Sequence, residues 1–154
     1  MDCLHGVRID PGPHAVRMVP PFLFMEDDGA GLTLQAEPVT TALARLRLAG
    51  PRPSVVVLDP PTFSQSKESG VFRAEKDYGK LVAAALAVLR SGGILLASTN
   101  AAELLPEKFL EQISVAVRGG GRSILQQHYV PQPPDFPISR TEPAYLKTVW
   151  VRVA

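Results

Sequence analysis

The chain has 154 residues, of which 45% are hydrophobic and 20% are charged, and its formal net charge is +1. This size predicts one domain with a modest core, and the charge excludes a polyelectrolyte. No apolar run reaches the roughly 18 residues that span a bilayer, so we expect no membrane partner. The single cysteine, Cys3, excludes an internal disulfide and indicates a reducing, cytoplasmic location.

The first thirty residues lack the pattern of a regular α/β unit. Four prolines between positions 11 and 21 exclude a long helix. No Gly-x-Gly turn joins a strand to a helix, although short edge strands are expected at 16–19 and 22–25. We therefore assign 1–30 to an irregular segment and 31–154 to the folded domain.

The first clear helix signal follows Glu37. Pro38 suits the first turn of a helix, and the apolar stripe that follows predicts a helix over 39–49. Glu37 then stands just before the helix, where the helix dipole favours an acid.

The most informative stretch is Val55-Val56-Val57-Leu58 followed by Asp59-Pro60-Pro61-Thr62-Phe63. Four apolar residues, three of them β-branched, predict a strand with helices on both faces of its sheet. Asp59 then falls at the carboxyl end of the strand, where open α/β sheets bind ligands. The two prolines predict a stiff loop through Lys67, and the alternative is an acid that merely caps a tight turn.

A second strand–helix unit follows the loop. Apolar residues at three- and four-residue spacing predict a helix over 75–90, which Gly92-Gly93 terminates. Residues 94–98 then predict a buried strand with Thr99 and Asn100 at its end. Asn100 is a candidate for binding a ligand or, alternatively, for a local Asx turn.

The remaining elements complete the sheet. We predict a helix over 106–118 and an antiparallel pair of strands at 123–129 and 145–153. Between them the proline-rich segment 131–137 predicts a stiff loop that carries Phe136. No cluster of cysteines, histidines and acids has metal-ligand spacing, so no metal is expected.

The Asp-Pro-Pro-Thr-Phe-Ser-x-Ser-Lys loop between a buried strand and a helix resembles the bacterial 23S ribosomal RNA methyltransferases that modify cytosine C5 or guanine N7. The resemblance runs from about Gly31 to Val153 and is most specific at 55–67. It implies that residues 31–37 form the family's third strand, which ends in Glu37. It implies a mostly parallel, Rossmann-like class I methyltransferase sheet with an antiparallel edge strand. It also implies S-adenosylmethionine as cofactor and 23S ribosomal RNA as partner.

The resemblance implies roles for particular residues. Asp59, Pro60, Pro61 and Phe63 would form the catalytic loop, with Asp59 also near the cofactor. Glu37 would bind the cofactor, since it aligns with an acid that contacts its adenine. The residues implied to contact substrate are Lys67, Thr99, Asn100 and Phe136.

The chemistry implied is independent of cysteine. Cytosine C5 methylation needs a thiolate nucleophile, yet Thr99 stands where the cytosine enzymes have cysteine, and Cys3 lies outside the resemblance. Ser98-Thr99-Asn100 is closer to the Ser-Asn-Asn of the guanine-N7 enzymes. A purine N7 has its own lone pair, so the reaction requires positioning and no covalent adduct.

The part of the family that carries the glycine-rich cofactor turn has no counterpart in residues 1–30, and neither has its RNA-binding domain. We therefore expect the C-terminal half of a methyltransferase domain, with a sheet that lacks two strands. Such a sheet would expose an edge and favour self-association. The alternatives are an inactive remnant that binds RNA or a protein partner, and a small-molecule N-methyltransferase.

Overall fold

The computed structural model describes residues 15–19, 23–27, 32–35, 39–48, 52–66, 70–136, 138–141 and 144–154. Within these ranges it contains nine strands and three helices, and none of those helices is long and apolar enough to cross a membrane. The elements are β1 (Ala15–Val19), β2 (Leu23–Asp27), β3 (Leu32–Gln35), α1 (Val39–Leu48), β4 (Val55–Leu58), β5 (Phe63–Ser66), β6 (Gly70–Arg73), α2 (Ala74–Val88), β7 (Ile94–Thr99), α3 (Pro106–Gly119), β8 (Ile124–Pro131) and β9 (Lys147–Val153).

Seven of these strands form one sheet in the order β3-β2-β1-β4-β7-β9-β8. The central strands β1, β4 and β7 are parallel, whereas β9 runs antiparallel to both β7 and β8. The predicted α/β class, with a parallel centre and an antiparallel edge pair, is therefore confirmed. Strand order reverses between β1 and β4, because the chain leaves β1 toward β2 and β3 and returns on the other side as β4. Open α/β sheets form their ligand crevice at such a reversal.

The expectation that the sheet would lack two strands is wrong. β1 pairs in parallel with β4, and β2 and β3 continue the sheet beyond it as an antiparallel meander. Prolines between 11 and 21 do exclude a long helix, but proline outside a strand leaves short strands intact. The expected strands at 16–19 and 22–25 correspond to β1 and β2, with β2 beginning and ending later than predicted.

The helices pack together on one face of the sheet. The side chains of α2 and α3 that point inward share a single core with alternate residues of β4, β7 and β9. The rings of Tyr78 and Phe109 meet edge to face, with centroids 5.0 Å apart and planes at 81°. Val56 and Leu58 of β4 are fully buried in this core, whereas Val55 and Val57 are half-buried. Among the described residues, the predicted helical cover is therefore found on one face of β4.

The side chain of a glutamine on α3 forms hydrogen bonds with two backbone groups of α2. The Gly79 N–H donates to Gln112 Oε1 at 3.1 Å, and Gln112 Nε2 donates to the Glu75 carbonyl at 2.6 Å. These two backbone groups of α2 would pair directly in a regular helix, so the amide bridges them and fixes α2 against α3.

The loop predicted for 62–67 is partly wrong, since Phe63–Ser66 forms strand β5 and pairs with β6. Gly70, at the start of β6, has the positive φ of 74° that only glycine adopts readily. Phe63 lies opposite Arg73, whose guanidinium carbon is 5.1 Å from the centre of the Phe63 ring. This cation–π contact helps to close the hairpin.

The turn from α2 into β7 contains the two predicted glycines. Gly92 has a φ of 72°, and Gly93 is packed so closely that an added Cβ would lie 2.7 Å from Leu89 Cδ1 and 2.8 Å from the Arg90 carbonyl oxygen. By contrast, nothing lies within 4 Å of a Cβ added at Gly119, in the last turn of α3.

We predict that Gly93→Ala destabilises the fold by about 1–3 kcal/mol, because the new methyl group overlaps a backbone oxygen. The matched variant Gly119→Ala should be neutral or stabilising by up to about 1 kcal/mol, because alanine is the better helix former. Urea denaturation followed by circular dichroism measures both. Equal stability of the two variants would show that the turn before β7 accommodates the added methyl group without cost.

Candidate active site

The carboxyl ends of β4 and β7 lie side by side, and β4 borders the strand-order reversal on its other side, next to β1. Leu58 at the end of β4 is in register with Ala97 of β7, and both strands run in the same direction. Asp59 follows β4 and Asn100 follows β7, so both residues leave the sheet at the same edge. Asp59 is half-buried and Asn100 is exposed. The structure therefore brings together two of the predicted site residues.

Tyr78 of α2 contacts the ends of both strands through its hydroxyl group. Its hydroxyl lies 2.7 Å from the carbonyl oxygen of Ser98 and 3.2 Å from that of Leu58, and it donates to them. Burial raises the pKa of Tyr78 well above its usual value of 10.0, and the nearby negative charge of Asp59 raises it further. The phenol is therefore a permanent donor at neutral pH. The sequence predicts Tyr78 only as part of a buried helix face, and its polar tip is the one signal of this second role.

The loop after Asp59 is fixed at Thr62. Thr62 Oγ1 donates to Asn100 Oδ1 at 2.8 Å, which connects the loop to the end of β7. The Thr62 carbonyl accepts the N–H of Ala74 at 3.0 Å, which connects the same residue to the start of α2. Pro60 and Pro61 lie between the end of β4 and Thr62, are half-buried and supply no N–H group. The result is a short, rigid connection of the kind predicted from the Asp-Pro-Pro sequence.

The two polar residues at the end of β7 have different environments. Thr99 is fully buried, and its Oγ1 accepts the N–H of Ala101 at 3.2 Å. Its hydroxyl is thus part of the turn that presents Asn100. Because Asn100 uses its Oδ1 to accept from Thr62, its Nδ2 group is the part available for donation to a ligand.

The two predicted aromatic residues are both accessible. Phe63 is 49% exposed on the β5–β6 hairpin, and Phe136 is 41% exposed in the proline-rich segment after β8. The Phe136 N–H donates to the Pro133 carbonyl at 3.1 Å, which makes a turn there. The other two predicted residues, Glu37 and Lys67, lie outside the described residues.

A buried lysine connects two segments next to the site. Lys147 lies opposite Thr99 in the sheet, is only 4% exposed, and donates to the carbonyls of Ala101 at 2.9 Å and Tyr145 at 2.6 Å. Burial lowers the pKa of its ammonium group. Lys147 therefore joins the turn that carries Asn100 to the segment that leads into β9.

A buried glutamine fixes the same segment from the other side. Gln132 Oε1 accepts the N–H groups of Tyr145 and Leu146, each at 3.0 Å. Its Nε2 group is buried and has no hydrogen-bond partner among the described residues. Neither Gln132 nor Lys147 is predicted as a site residue, because their carbonyl and amide partners depend on a cross-strand register that sequence does not contain.

The chain is similar to part of several known proteins. No family model matches the sequence. A ribosomal RNA large subunit methyltransferase of Deinococcus radiodurans is 35% identical over 101 residues, which are 64% of this chain and 24% of that protein. Ribosomal RNA large subunit methyltransferase I of an Enterobacter species (strain 638) is 31% identical over 115 residues, which are 72% of this chain and 28% of that protein.

A crystal structure described as a methyltransferase complexed with SAH matches the fold with a TM-score of 0.63 and 28% sequence identity. The match covers 76% of this chain and 30% of that chain. The fold is thus the Rossmann-like fold of methyltransferases. The chain is homologous to part of the large-subunit ribosomal RNA methyltransferases, which confirms the resemblance carried by the Asp-Pro-Pro motif. It spans about a quarter of the length of the two curated relatives.

The hydroxyl of Tyr78 generates one prediction. Tyr78→Phe should lower the free energy of unfolding by about 1–3 kcal/mol, because two carbonyls at the strand ends lose their donor. Tyr129→Phe is the matched control, since the Tyr129 hydroxyl has no hydrogen-bond partner among the described residues. That variant should stay within about 0.5 kcal/mol of the wild type in urea denaturation.

The same variant tests the raised pKa of Tyr78. Above pH of about 10 the unfolded chain releases its tyrosine proton while folded Tyr78 keeps it, so wild-type stability should fall as pH rises. Tyr78→Phe lacks this group and should lose less stability between neutral and alkaline pH. Lys147 is present in both proteins, so its own titration cancels in the comparison. Parallel pH curves for the two proteins would contradict the assignment.

Gln132 generates another prediction. Gln132→Leu should cost about 1–3 kcal/mol, because the N–H groups of Tyr145 and Leu146 are left unpaired. Gln132→Glu keeps the acceptor and removes the unpartnered Nε2, so it should cost less than Gln132→Leu. Thermal denaturation at neutral pH ranks the two variants. The reverse ranking would show that the two N–H groups do not depend on residue 132.

Proposed function

We propose that this chain takes part in S-adenosylmethionine-dependent methylation of a base in large-subunit ribosomal RNA. The observation that carries the proposal is the rigid Asp59-Pro60-Pro61-Thr62 loop at the strand-order reversal, fastened to Asn100 at the end of the neighbouring strand. The names of the curated relatives support the RNA substrate. SAH in the related crystal structure supports the cofactor.

One described residue, Asp59, is placed to hold the cofactor at the reversal between β1 and β4. Asp59 is half-buried there, and a carboxylate in that position can accept hydrogen bonds from a polar ligand without being sealed from solvent. Asp59 would hold the cofactor together with Glu37, which lies outside the described residues. S-adenosylmethionine, when bound, supplies an electrophilic methyl group.

The target base would be held by hydrogen bonds and stacking. The Asp59 carboxylate and the Pro60 carbonyl accept hydrogen bonds from ring N–H or amino groups of the base. Asn100 Nδ2 donates to an acceptor on a purine edge. Phe63 and Phe136 are accessible for stacking on an extruded base, and Lys67 would contact phosphate.

The proposed chemistry is independent of cysteine and of the guanine-N7 kind. Thr99 occupies the position of the cysteine in cytosine C5 enzymes, and its hydroxyl is buried and engaged by the N–H of Ala101. Asn100 is the residue exposed at that strand end. A nitrogen with its own lone pair needs only to be positioned, and the fastening of Asn100 to Thr62 provides a fixed position.

The proposed RNA substrate also implies a cellular location. A chain that acts on ribosomal RNA would work in the cytoplasm. Self-association through a sheet edge stays a prediction, and β3 and β8 are the described edge strands of the seven-stranded sheet.

The decisive experiment is methyl transfer from labelled S-adenosylmethionine to large-subunit ribosomal RNA, with the modified nucleotide mapped by mass spectrometry. Asp59→Ala should reduce transfer by about 10² or more, because the base and the cofactor lose their shared positioning group. Glu111→Gln is the matched control, since Glu111 is an exposed carboxylate that pairs with Lys108 on α3. Its activity should equal that of the wild type.

Two further results would be informative against the proposal. A wild-type chain that methylates no nucleotide of the large-subunit RNA would contradict the function, and an active Asp59→Ala variant would remove the role of the loop. Cys3→Ser should be fully active. Covalent trapping of the chain on RNA that contains 5-fluorocytosine would replace the cysteine-free mechanism with a covalent one.

A further inference from the structure

The end of the sheet opposite Asp59 carries a concentration of arginines. The last turns of all three helices, the starts of β4, β7 and β8, and the end of β9 meet there. We call the arginines at this place the basic end, and they are Arg47, Arg52, Arg90, Arg118, Arg122 and Arg152. Among the described residues, the acids placed at the same end of the sheet are Glu26 and Asp27 of β2, on the far side of β1.

Helix dipoles explain only part of this concentration. Arg47 and Arg118 lie in the last turns of α1 and α3, where a cation is favoured. Arg52 precedes β4 and Arg152 lies on β9, so neither has that local reason. Both are exposed.

One of the arginines, Arg122, is held by main-chain oxygens. It donates to those of Leu86, Leu89, Arg90 and Ala154 at 2.7–3.0 Å, and no aspartate or glutamate side chain is among these partners. Burial lowers the pKa of Arg122, and the positive charge of Arg52 lowers it further. The basic end thus holds like charges close enough to repel each other, which an external anion would relieve.

A groove on the sheet face opposite the three described helices runs into the basic end. It has a volume of about 510 Å³. Trp150 lies between Leu96 of β7 and His128 of β8, and it is 43% exposed. The groove is lined by Ile94, Gln126, Gln127, His128, Trp150 and Arg152.

Arg152 joins the groove to the basic end. It lies beside Gln126 in the next outward-facing row of the sheet, and its Nε donates to the Gly92 carbonyl at 3.3 Å. Its terminal nitrogens have no hydrogen-bond partner among the described residues. A flat, accessible ring with amide side chains beside it and guanidinium groups at one end matches the way in which proteins bind single-stranded nucleic acid.

We propose that the groove and the basic end form a binding surface for single-stranded RNA, with a base stacked on Trp150 and phosphates bound by Arg52 and Arg152. This surface is separate from the Asp59 crevice. The row that contains Arg152 and Ile94 lies six residues from Asn100 along β7, which is about 20 Å at about 3.3 Å per residue. The inference goes beyond the proposed methyl transfer and does not require it.

Trp150 makes the test direct, because it is the single tryptophan of the chain. Unstructured oligouridine should quench its fluorescence, and the quenching should saturate at the same RNA concentration as fluorescence anisotropy of the labelled RNA. Trp150→Ala should weaken RNA binding about ten-fold or more, and Trp150→Phe should restore most of the affinity because a ring is still present. Arg52→Ala combined with Arg152→Ala should reduce the slope of log affinity against log salt by about 0.7 for each lost phosphate contact.

Matched controls separate this surface from general charge and from the crevice. Lys76→Ala combined with Lys108→Ala removes two positive charges from the first turns of α2 and α3, at the Asp59 end, and should leave oligouridine binding almost unchanged. Asp59→Ala should leave it unchanged as well, so failure of the proposed methyl transfer and failure of this proposal are distinguishable.

Three outcomes would overturn the proposal. The first is RNA binding that Trp150→Ala does not weaken while circular dichroism shows the variant folded. The second is equal quenching by polyglutamate, which would indicate a general anion site. The third is a stable dimer in sedimentation that buries Trp150 without RNA, which would make this face an interface between copies of the chain.

Discussion

The candidate site depends on one buried hydroxyl group. Tyr78 extends from α2 into the core and donates to the carbonyls of Leu58, the last residue of β4, and Ser98, the last but one of β7. A carbonyl buried at the end of a strand would be costly without a donor. The position of Asp59 relative to Asn100 therefore follows from how α2 is held against the sheet. The edge-to-face contact with Phe109 and the Gln112 bridge hold it there.

The residues that line the crevice form one connected system of short links. Thr62 joins the Asp-Pro-Pro loop to Asn100, Lys147 joins the following turn to Tyr145, and Gln132 joins Tyr145 to the segment after β8. Several of these links end on backbone carbonyls or N–H groups, so a change in one loop is transmitted to the next through the main chain. Rigid positioning of this kind suits a reaction that needs orientation more than it needs a reactive side chain.

Much of this fold can be predicted from local sequence patterns. The helices α1, α2 and α3, the buried strands β4 and β7 and the Asp-Pro-Pro loop all have periodicity or proline and glycine signals within a few residues. β1 to β3 were harder to predict, because short strands among prolines and glycines gain their stability from pairing with β4 and with each other. The hairpin β5–β6 depends likewise on the contact between Phe63 and Arg73. Of the site, Asp59 and Asn100 were accessible to prediction, whereas the roles of Tyr78, Gln132 and Lys147 arise from contacts between distant segments.

The place of β9 in the sheet has a consequence for how the chain acquires its structure. β9 follows every other described element in the sequence, yet it lies between β7 and β8 and pairs with both. During synthesis, β7 and β8 leave the ribosome before the strand that joins them exists. The part of the sheet formed by β7, β9 and β8, which includes the groove and Lys147, can therefore assemble only after about fifty further residues beyond β7 have been made. Contacts between segments so far apart in sequence slow folding. Until then the apolar edge of β7 is exposed, and this is the interval in which the nascent chain depends most on protection from aggregation.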